Sequence, residues 1–269
     1  MLAAATAGLL VACEKPAPPP AGPNVVSIVA TDYAYALPDT VPAGRTRFSL
    51  VNQGAEPHHA ILVRIAEEHP LPEVLAALEA PTPPAWLTLV AAPNTAFPGD
   101  SSNTTTNLTP GTYVLTCLIR SPDGKTHAEK GMIRQFHVLG PAPADTPEPE
   151  ADFVITLKDY DYELSAPLTA GAHTIRVVNA GPQAHEVGIE RLDDGKTAAD
   201  YQAWVAGGMQ GPPPSRPLGG VIGPQPGGSA GTFTVALTPG RYVLTCYVPD
   251  ASDGRPHVAH GMVKEIVIN

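Results

Sequence analysis

Along most of this chain, apolar and polar residues alternate in short runs bounded by Gly, Pro, Asn and Asp. Arg47-Phe48-Ser49-Leu50-Val51 and Thr232-Phe233-Thr234-Val235-Ala236-Leu237 are examples. A period of two places every second side chain on one face, which predicts half-buried strands. Two brief stretches break the alternation with helical spacing, residues 72–78 and 197–205, each set between an early and a late group of strands. That order predicts an all-β protein built as a sandwich, with one short helical insertion, made twice. The 32 prolines and 25 glycines agree, since they suit many turns better than long helices. An immunoglobulin-like sandwich has similar strand spacing, but its Cys–Trp–Cys signature is absent.

The doubling is explicit in the residues. LTPGTYVLTC (Leu108 to Cys117) matches LTPGRYVLTC (Leu237 to Cys246) at all but one position, and TDYAYALP at Thr31 answers KDYDYELS at Lys158. FSLVNQGAEPHH, from Phe48 to His59, aligns without gaps on IRVVNAGPQAHE, from Ile175 to Glu186. A repeat this long is a whole domain rather than a solenoid unit. The Pro-rich acidic segment GPAPADTPEPEA lies between the copies, predicting domains at 24–139 and 152–269 joined by a linker at 140–151.

Residues 1–23 read differently. MLAAATAGLLVAC is apolar and too short to span a bilayer as a helix, which predicts an export signal. Leu10-Val11-Ala12-Cys13 resembles the lipobox of bacterial lipoproteins, which implies lipidation of Cys13, although no Lys or Arg precedes the apolar run. The proline-rich stretch that follows, to Pro23, reads as an extended tether from a membrane. With Cys13 set aside, only Cys117 and Cys246 remain. They stand at equivalent positions of the two copies, so a disulfide between them is not expected. An exported protein with two unpaired thiols calls for chemistry that protects them, and metal ligation is one such chemistry.

Each copy presents a set of residues suited to that task. The second offers His185 at the start of a strand, then Cys246, His257 and Met262 in CYVPDASDGRPHVAHGM; the first offers His58, Cys117, His127 and Met132. His59 is an alternative to His58, because both start an alternating apolar run, and the ungapped repeat favours His58. Two imidazoles and a thiolate make a trigonal plane with a thioether as a weak axial donor, a soft set that favours copper. Taken singly, each residue also has an ordinary packing role; their joint appearance in order, twice, is what points to metal.

These residues resemble those of the cupredoxins, the type 1 blue copper proteins. The long Cys-to-His loop ending in His-x4-Met, with Gly261 before Met262, is similar to the type 1 site of copper nitrite reductases. The approach Val178-Asn179-Ala180-Gly181-Pro182-Gln183-Ala184-His185 is similar to that of plastocyanins. The resemblance implies two tandem cupredoxin-like Greek-key β-sandwiches, each with one type 1 copper, and it implies that His127 and His257 bring an imidazole edge close to the surface. Two departures stand out. The Cys-to-His loop is much longer than in plastocyanins, and the Asn that often follows the first histidine is His59 in one copy and Glu186 in the other.

Function follows from what accompanies the sets. Copper enzymes of two such domains add histidines for a catalytic copper, but Thr116 and Thr245 precede the cysteines and no His-x-His occurs. His69, His137, His173 and His260 are scattered. The expectation is an exported, lipid-anchored electron carrier on the periplasmic or outer side of a bacterial membrane, not an enzyme. A copper chaperone and a nitrite reductase-like multicopper enzyme are the alternatives. The formal charge of −10 disfavours nucleic acid and suits a cationic redox partner such as a c-type cytochrome, which Asp123, Asp250 and Asp253 in the loops would steer.

Overall fold

The structure is a computed structural model that describes residues 22–78, 80, 83–141, 146–227 and 230–269. Cys13 and most of the tether lie outside the described residues. Strands dominate, and the all-β expectation holds.

The described residues form three sheets. The largest has eight strands, in the order Asp161–Leu164, Phe153–Lys158, Gly171–Asn179, Ala230–Leu237, Ser101–Leu108, Gly44–Asn52, Asn24–Thr31 and Ala34–Ala36. Its two flanks belong to the two halves of the chain and meet where Thr232 pairs with Thr105. A five-stranded sheet covers each flank. In the first half the order is Thr40–Pro42, Ile133–Leu139, Gly111–Thr116, Ile61–Ile65 and Leu87–Val90; in the second it is Val263–Ile268, Gly240–Thr245, Val187–Leu192, Ser215–Ile222 and Ala92–Pro93.

Alternation does what the pattern demands. In Gly44–Asn52 every second residue is buried, so Phe48 and Leu50 enter the core while Arg47 and Ser49 face away. The first sandwich closes around Val26, Ile28, Phe48, Leu50, Leu62, Tyr113 and Phe136; the second closes around Ile155, Leu157, Ile175, Val177, Ile189, Phe233 and Tyr242. In both halves the opening strand lies parallel to its neighbour, Asn24–Thr31 on Gly44–Asn52 and Phe153–Lys158 on Gly171–Asn179. The near-identical LTPGxYVLTC segments build the same corner twice. Tyr113 donates its hydroxyl to Thr109 O at 2.8 Å, and Tyr242 donates to Thr238 O at 2.7 Å.

The helices fall where expected, each within one residue of its predicted bounds. Leu71–Leu78 presents Val74 and Ala77 to the outer face of its sheet. Ala198–Ala206 starts one residue late because Thr197 is its cap, in a reciprocal box with Asp200. Tyr201 and Val205 of that helix pack against Val258 of the metal-candidate loop.

One crossing was not expected. Ala92–Pro93 belongs to the first half, yet it supplies the edge strand of the second half's sheet, with Ala92 opposite Ile222 and Pro93 opposite Val221. Ala91 packs in the second core. Gly231 leaves room for this approach, since a Cβ there would lie 2.9 Å from the Ala91 Cβ. Glu148, within the acidic segment between the copies, is held by Arg45 at 3.3 Å and Arg176 at 2.5 Å.

Candidate metal centres

Each half brings two histidines and a cysteine together at one end of its sandwich. His58 is held against Ala96 by backbone hydrogen bonds of 3.1 and 2.9 Å, and Cys117 follows directly on the strand Gly111–Thr116. The loop after Cys117 then folds back on itself. Ala128 N donates to Cys117 O at 2.8 Å and Met132 N donates to His127 O at 2.9 Å. The second half repeats this with Val258 N to Cys246 O at 2.7 Å and Met262 N to His257 O at 3.0 Å. Its loop is one residue longer. The extra residue is absorbed at the tip, where Ser121 N reaches Lys125 O in one half and Asp250 N reaches Arg255 O in the other. The candidate ligands thus keep equivalent places.

Distances are short. His58 Nδ1 lies 3.0 Å from His127 Nδ1, which lies 3.4 Å from Cys117 Sγ. In the second half His185 Nδ1 is 3.1 Å from His257 Nδ1, and Cys246 Sγ is 3.4 Å from His257 Nδ1 and 3.9 Å from His185 Nδ1. Each triplet offers ligand atoms within 4.8 Å of one another. The histidines, the cysteines, Met132 and Met262 are all buried at 0% exposure. Both methionines pack in the same core clusters as their cysteines, and both thiols are free.

The hydrogen bonds around the rings test whether a cation fits. Asp32 Oδ1 is 2.8 Å from His58 Nε2, and Glu56 Oε2 is 2.9 Å from His127 Nε2. Both carboxyls are held below their ordinary range. For Asp32, burial works the other way but is outweighed by the N–H of Ala55 and by His58; for Glu56, the Tyr33 hydroxyl is the largest cause. Ionised carboxylates only accept, so each Nε2 is an N–H donor, and in the neutral form of each ring the Nδ1 then carries a lone pair. Two lone pairs therefore face each other across 3.0 Å beside a sulfur, an arrangement that a cation between them would relieve. Burial pushes the Cys117 thiol up to about 11, and pushes Cys246 higher still with the Glu186 charge adding to it. These thiols ionise only against a compensating positive charge.

The second half repeats the first contact, with Asp159 Oδ1 2.8 Å from His185 Nε2. Its loop histidine differs. His257 Nε2 has no hydrogen-bond partner among the described residues and lies 3.5 Å from Asp250 Oδ2.

The structure separates His58 from His59. His58 joins the triplet, whereas His59 turns away and accepts the Leu118 N–H on its Nε2 at 3.0 Å. Glu186 does the same in the second half, accepting the Tyr247 N–H at 2.7 Å. Both residues thus tie the first histidine's segment to the one following the cysteine, despite the absence of Asn. Loss of solvent, with His127 and His58 close by, pushes the His59 ring down to about 3. Burial pushes Glu186 up to about 7 against the Tyr247 N–H, with Glu190 nearby adding to the rise.

Two expectations need correction. His127 and His257 do not reach the surface, because Tyr33 and Tyr160 cover them at ring distances of 5.0 and 5.6 Å. Asp250 is not an exposed loop charge either. It is 3% exposed and occupied by Tyr160, Gln183 and Ser252. Asp123 pairs with Lys130, and Asp253 with His260.

The scattered histidines sit apart from both triplets. His69 stacks on Trp86, His137 faces Thr112, and His173 bonds Thr169 O. His260 forms a further grouping with Asp250 and Asp253 at the surface side of the second centre.

Residues absent from the expected sets complete the sites: Asp32 and Asp159, Gly54 and Gly181, and Asn52 and Asn179. Each Asn donates to two carbonyls, Glu56 O and Ala96 O in one half, Gln183 O and Pro224 O in the other. The signal lay in the repeat, which keeps every one of these residue types in both copies.

No protein-family model matches the chain, and no curated protein matches it. Solved structures do. The dithionite-reduced auracyanin of Roseiflexus castenholzii is 23% identical, covering 45% of this chain and 100% of its own, with a TM-score of 0.33. Auracyanin A of Chloroflexus aurantiacus, described as a "blue" copper protein, is 20% identical over 44% of this chain and 100% of its own, with a TM-score of 0.33. The copper nitrite reductase of Nitrosomonas europaea is 14% identical over 91% of this chain and 93% of its own, with a TM-score of 0.26.

Proposed function

We propose that the protein is an exported, membrane-tethered blue-copper protein that carries single electrons between redox partners through two type 1 centres, one in each half. His58, Cys117, His127 and Met132 would hold one copper, and His185, Cys246, His257 and Met262 the other. The observation that carries this is the pair of buried triplets in which two imidazole Nδ1 atoms converge on one thiol. Two nitrogens with a sulfur, and a thioether nearby in the same core, are a soft donor set suited to copper.

Bound copper would supply a one-electron couple. The chain's own part is to hold the donors rigidly and keep water away. Complete burial of the six ligating imidazoles and thiols suits electron transfer, which needs no contact with the partner, better than substrate binding, which does. The same burial favours a retained metal over the readily exchanged one a chaperone would carry. Tethering rests on Cys13 as lipid acceptor, and no described helix is long and apolar enough to cross a membrane. A cationic partner such as a c-type cytochrome suits the net charge of −10.

Copper loading tests the reading. The expected result is two coppers per chain and an intense visible thiolate-to-copper band, reduced by about half in Cys117→Ser or Cys246→Ser and lost in the double variant. A colourless copper-loaded protein would overturn it. Rapid loss of copper to a mild chelator would favour the chaperone, and a third tightly held copper with nitrite turnover would favour the enzyme.

A further inference from the structure

We propose that Glu56 is a positioning residue that sets His127 with its Nδ1 lone pair turned inward, and that Asp250 brings the corresponding charge to His257 from the opposite side of the second centre, without a hydrogen bond. The consequence for metal rests on the copper reading above; the positioning itself does not.

The repeat aligns Glu56 with Gln183, and the matching loop tips align Ser121 with Asp250. Where one half has an acid, the other has a neutral polar residue, and the reverse holds at the second position. In the first half the carboxylate comes from the segment leading to His58. Glu56 accepts from Tyr33 at 2.7 Å and Ser121 at 2.9 Å and faces His127 Nε2 at 2.9 Å. In the second half it comes from the loop tip. Asp250 accepts from Tyr160 at 2.5 Å and Gln183 at 3.2 Å and lies 3.5 Å from His257 Nε2.

Each loop histidine therefore faces one carboxylate and one tyrosine ring, and each carboxylate also accepts from one neutral partner. A side chain kept only for packing would keep its place in the repeat. Here the charge is kept while the place is exchanged, so the charge is what the site needs. A neutral imidazole has one N–H, and a carboxylate at Nε2 claims it, leaving Nδ1 free as a donor of its lone pair and more basic for it. The contact is a hydrogen bond in the first half and too long for one in the second, so His127 is set more firmly than His257.

The test reads the His127 tautomer by long-range proton–nitrogen correlation in metal-free, reduced, nitrogen-15-labelled protein. A second reading, copper release to a chelator, is made in a Cys246→Ser background so that only the first centre is filled. Glu56→Gln is expected to move His127 away from a pure Nε2–H form and to speed release on the order of tenfold. Adding Ser121→Asp copies the second half's arrangement and is expected to restore both most of the way. An unchanged tautomer in Glu56→Gln, or a double variant no better than the single one, would overturn the proposal. If Glu56→Gln does not fold, the reciprocal exchange Gln183→Glu with Asp250→Ser, read at His257, decides in the same way: a kept tautomer supports the proposal and a lost one overturns it. A parent protein that binds no copper would sink the proposed function alone, because the tautomer is read without metal.

Discussion

Asn94 of the first half donates its side-chain amide to the carbonyl of Val187 in the second, at 3.2 Å. Two residues along the chain from Asn94, Ala96 is paired with His58; two residues back from Val187 is His185. The backbone N–H of Asn94 is also engaged across the boundary, reaching Gly220 O at 3.2 Å. A single buried amide thus stands between the segments that carry the first histidine of each centre.

Asn94→Ala leaves the Val187 carbonyl buried without this donor. The expected loss is about 1–3 kcal/mol, the cost of an unsatisfied buried group. Chemical denaturation followed separately at the two centres checks it, with a single cooperative transition expected to broaden or split.

Gly54 faces the Asp32–His58 hydrogen bond so closely that a Cβ would lie 2.3 Å from Asp32 Oδ1 and 2.7 Å from His58 Nε2. Gly181 repeats this against His185 and Asp159, at 2.8 and 2.9 Å. Gly54→Ala is expected to weaken copper binding in the first half about 10–100-fold while sparing the second, as loss of a ligand's outer partner does. Gly181→Ala is expected to do the reverse. Copper titration monitored by the visible band distinguishes the halves when combined with the cysteine variants.

His59→Ala removes the acceptor for the Leu118 N–H, the hydrogen bond that ties the strand histidine's segment to the cysteine's. A destabilisation of about 1–2 kcal/mol is expected, with loosened geometry at Cys117. His59→Glu, which imitates Glu186, is expected to recover part of the loss. Thermal unfolding and the position of the visible band are the measurements.

Glu186 predicts a pH dependence. Its carboxyl rises from an ordinary 4.5 to about 7 in the folded protein. The folded state then binds more protons than the unfolded one between these values, so its contribution is fully present below pH 4.5 and is lost as pH rises through about 7. The fall amounts to about 3 kcal/mol at most. Urea titrations of metal-free protein across this window check the slope, which Glu186→Gln is expected to reduce. Glu190, also pushed up by burial, leaves a remainder.

Much of this was legible in the residues. Alternation marked the strands, and the near-identical LTPGxYVLTC segments marked the repeat and the cysteine that ends each of them. The partners of the ligands were harder to read. Asp32 precedes His58 by 26 residues, as Asp159 precedes His185, and the equal interval was visible in the ungapped repeat. Nothing local says that the two meet, because the contact depends on how one turn lies over another strand. The carboxylate at the loop histidine was hidden outright, since alignment sets Glu56 against Gln183 and Ser121 against Asp250. The burial of His127 and His257 depends on Tyr33 and Tyr160, which belong to distant turns. The two-residue strand Ala92–Pro93 is too short to carry any period, so its crossing to the other half left no trace.

The eight-stranded sheet has a bearing on how the molecule behaves when the connection between its halves is altered. Backbone pairing at Thr232 and Thr105, the Ala92–Pro93 edge and the Asn103–Thr234 hydrogen bonds join the halves independently of the segment that links them. Lengthening or nicking that segment would leave the separation of the two centres as it is, because β-structure and not the length of the segment sets that interval.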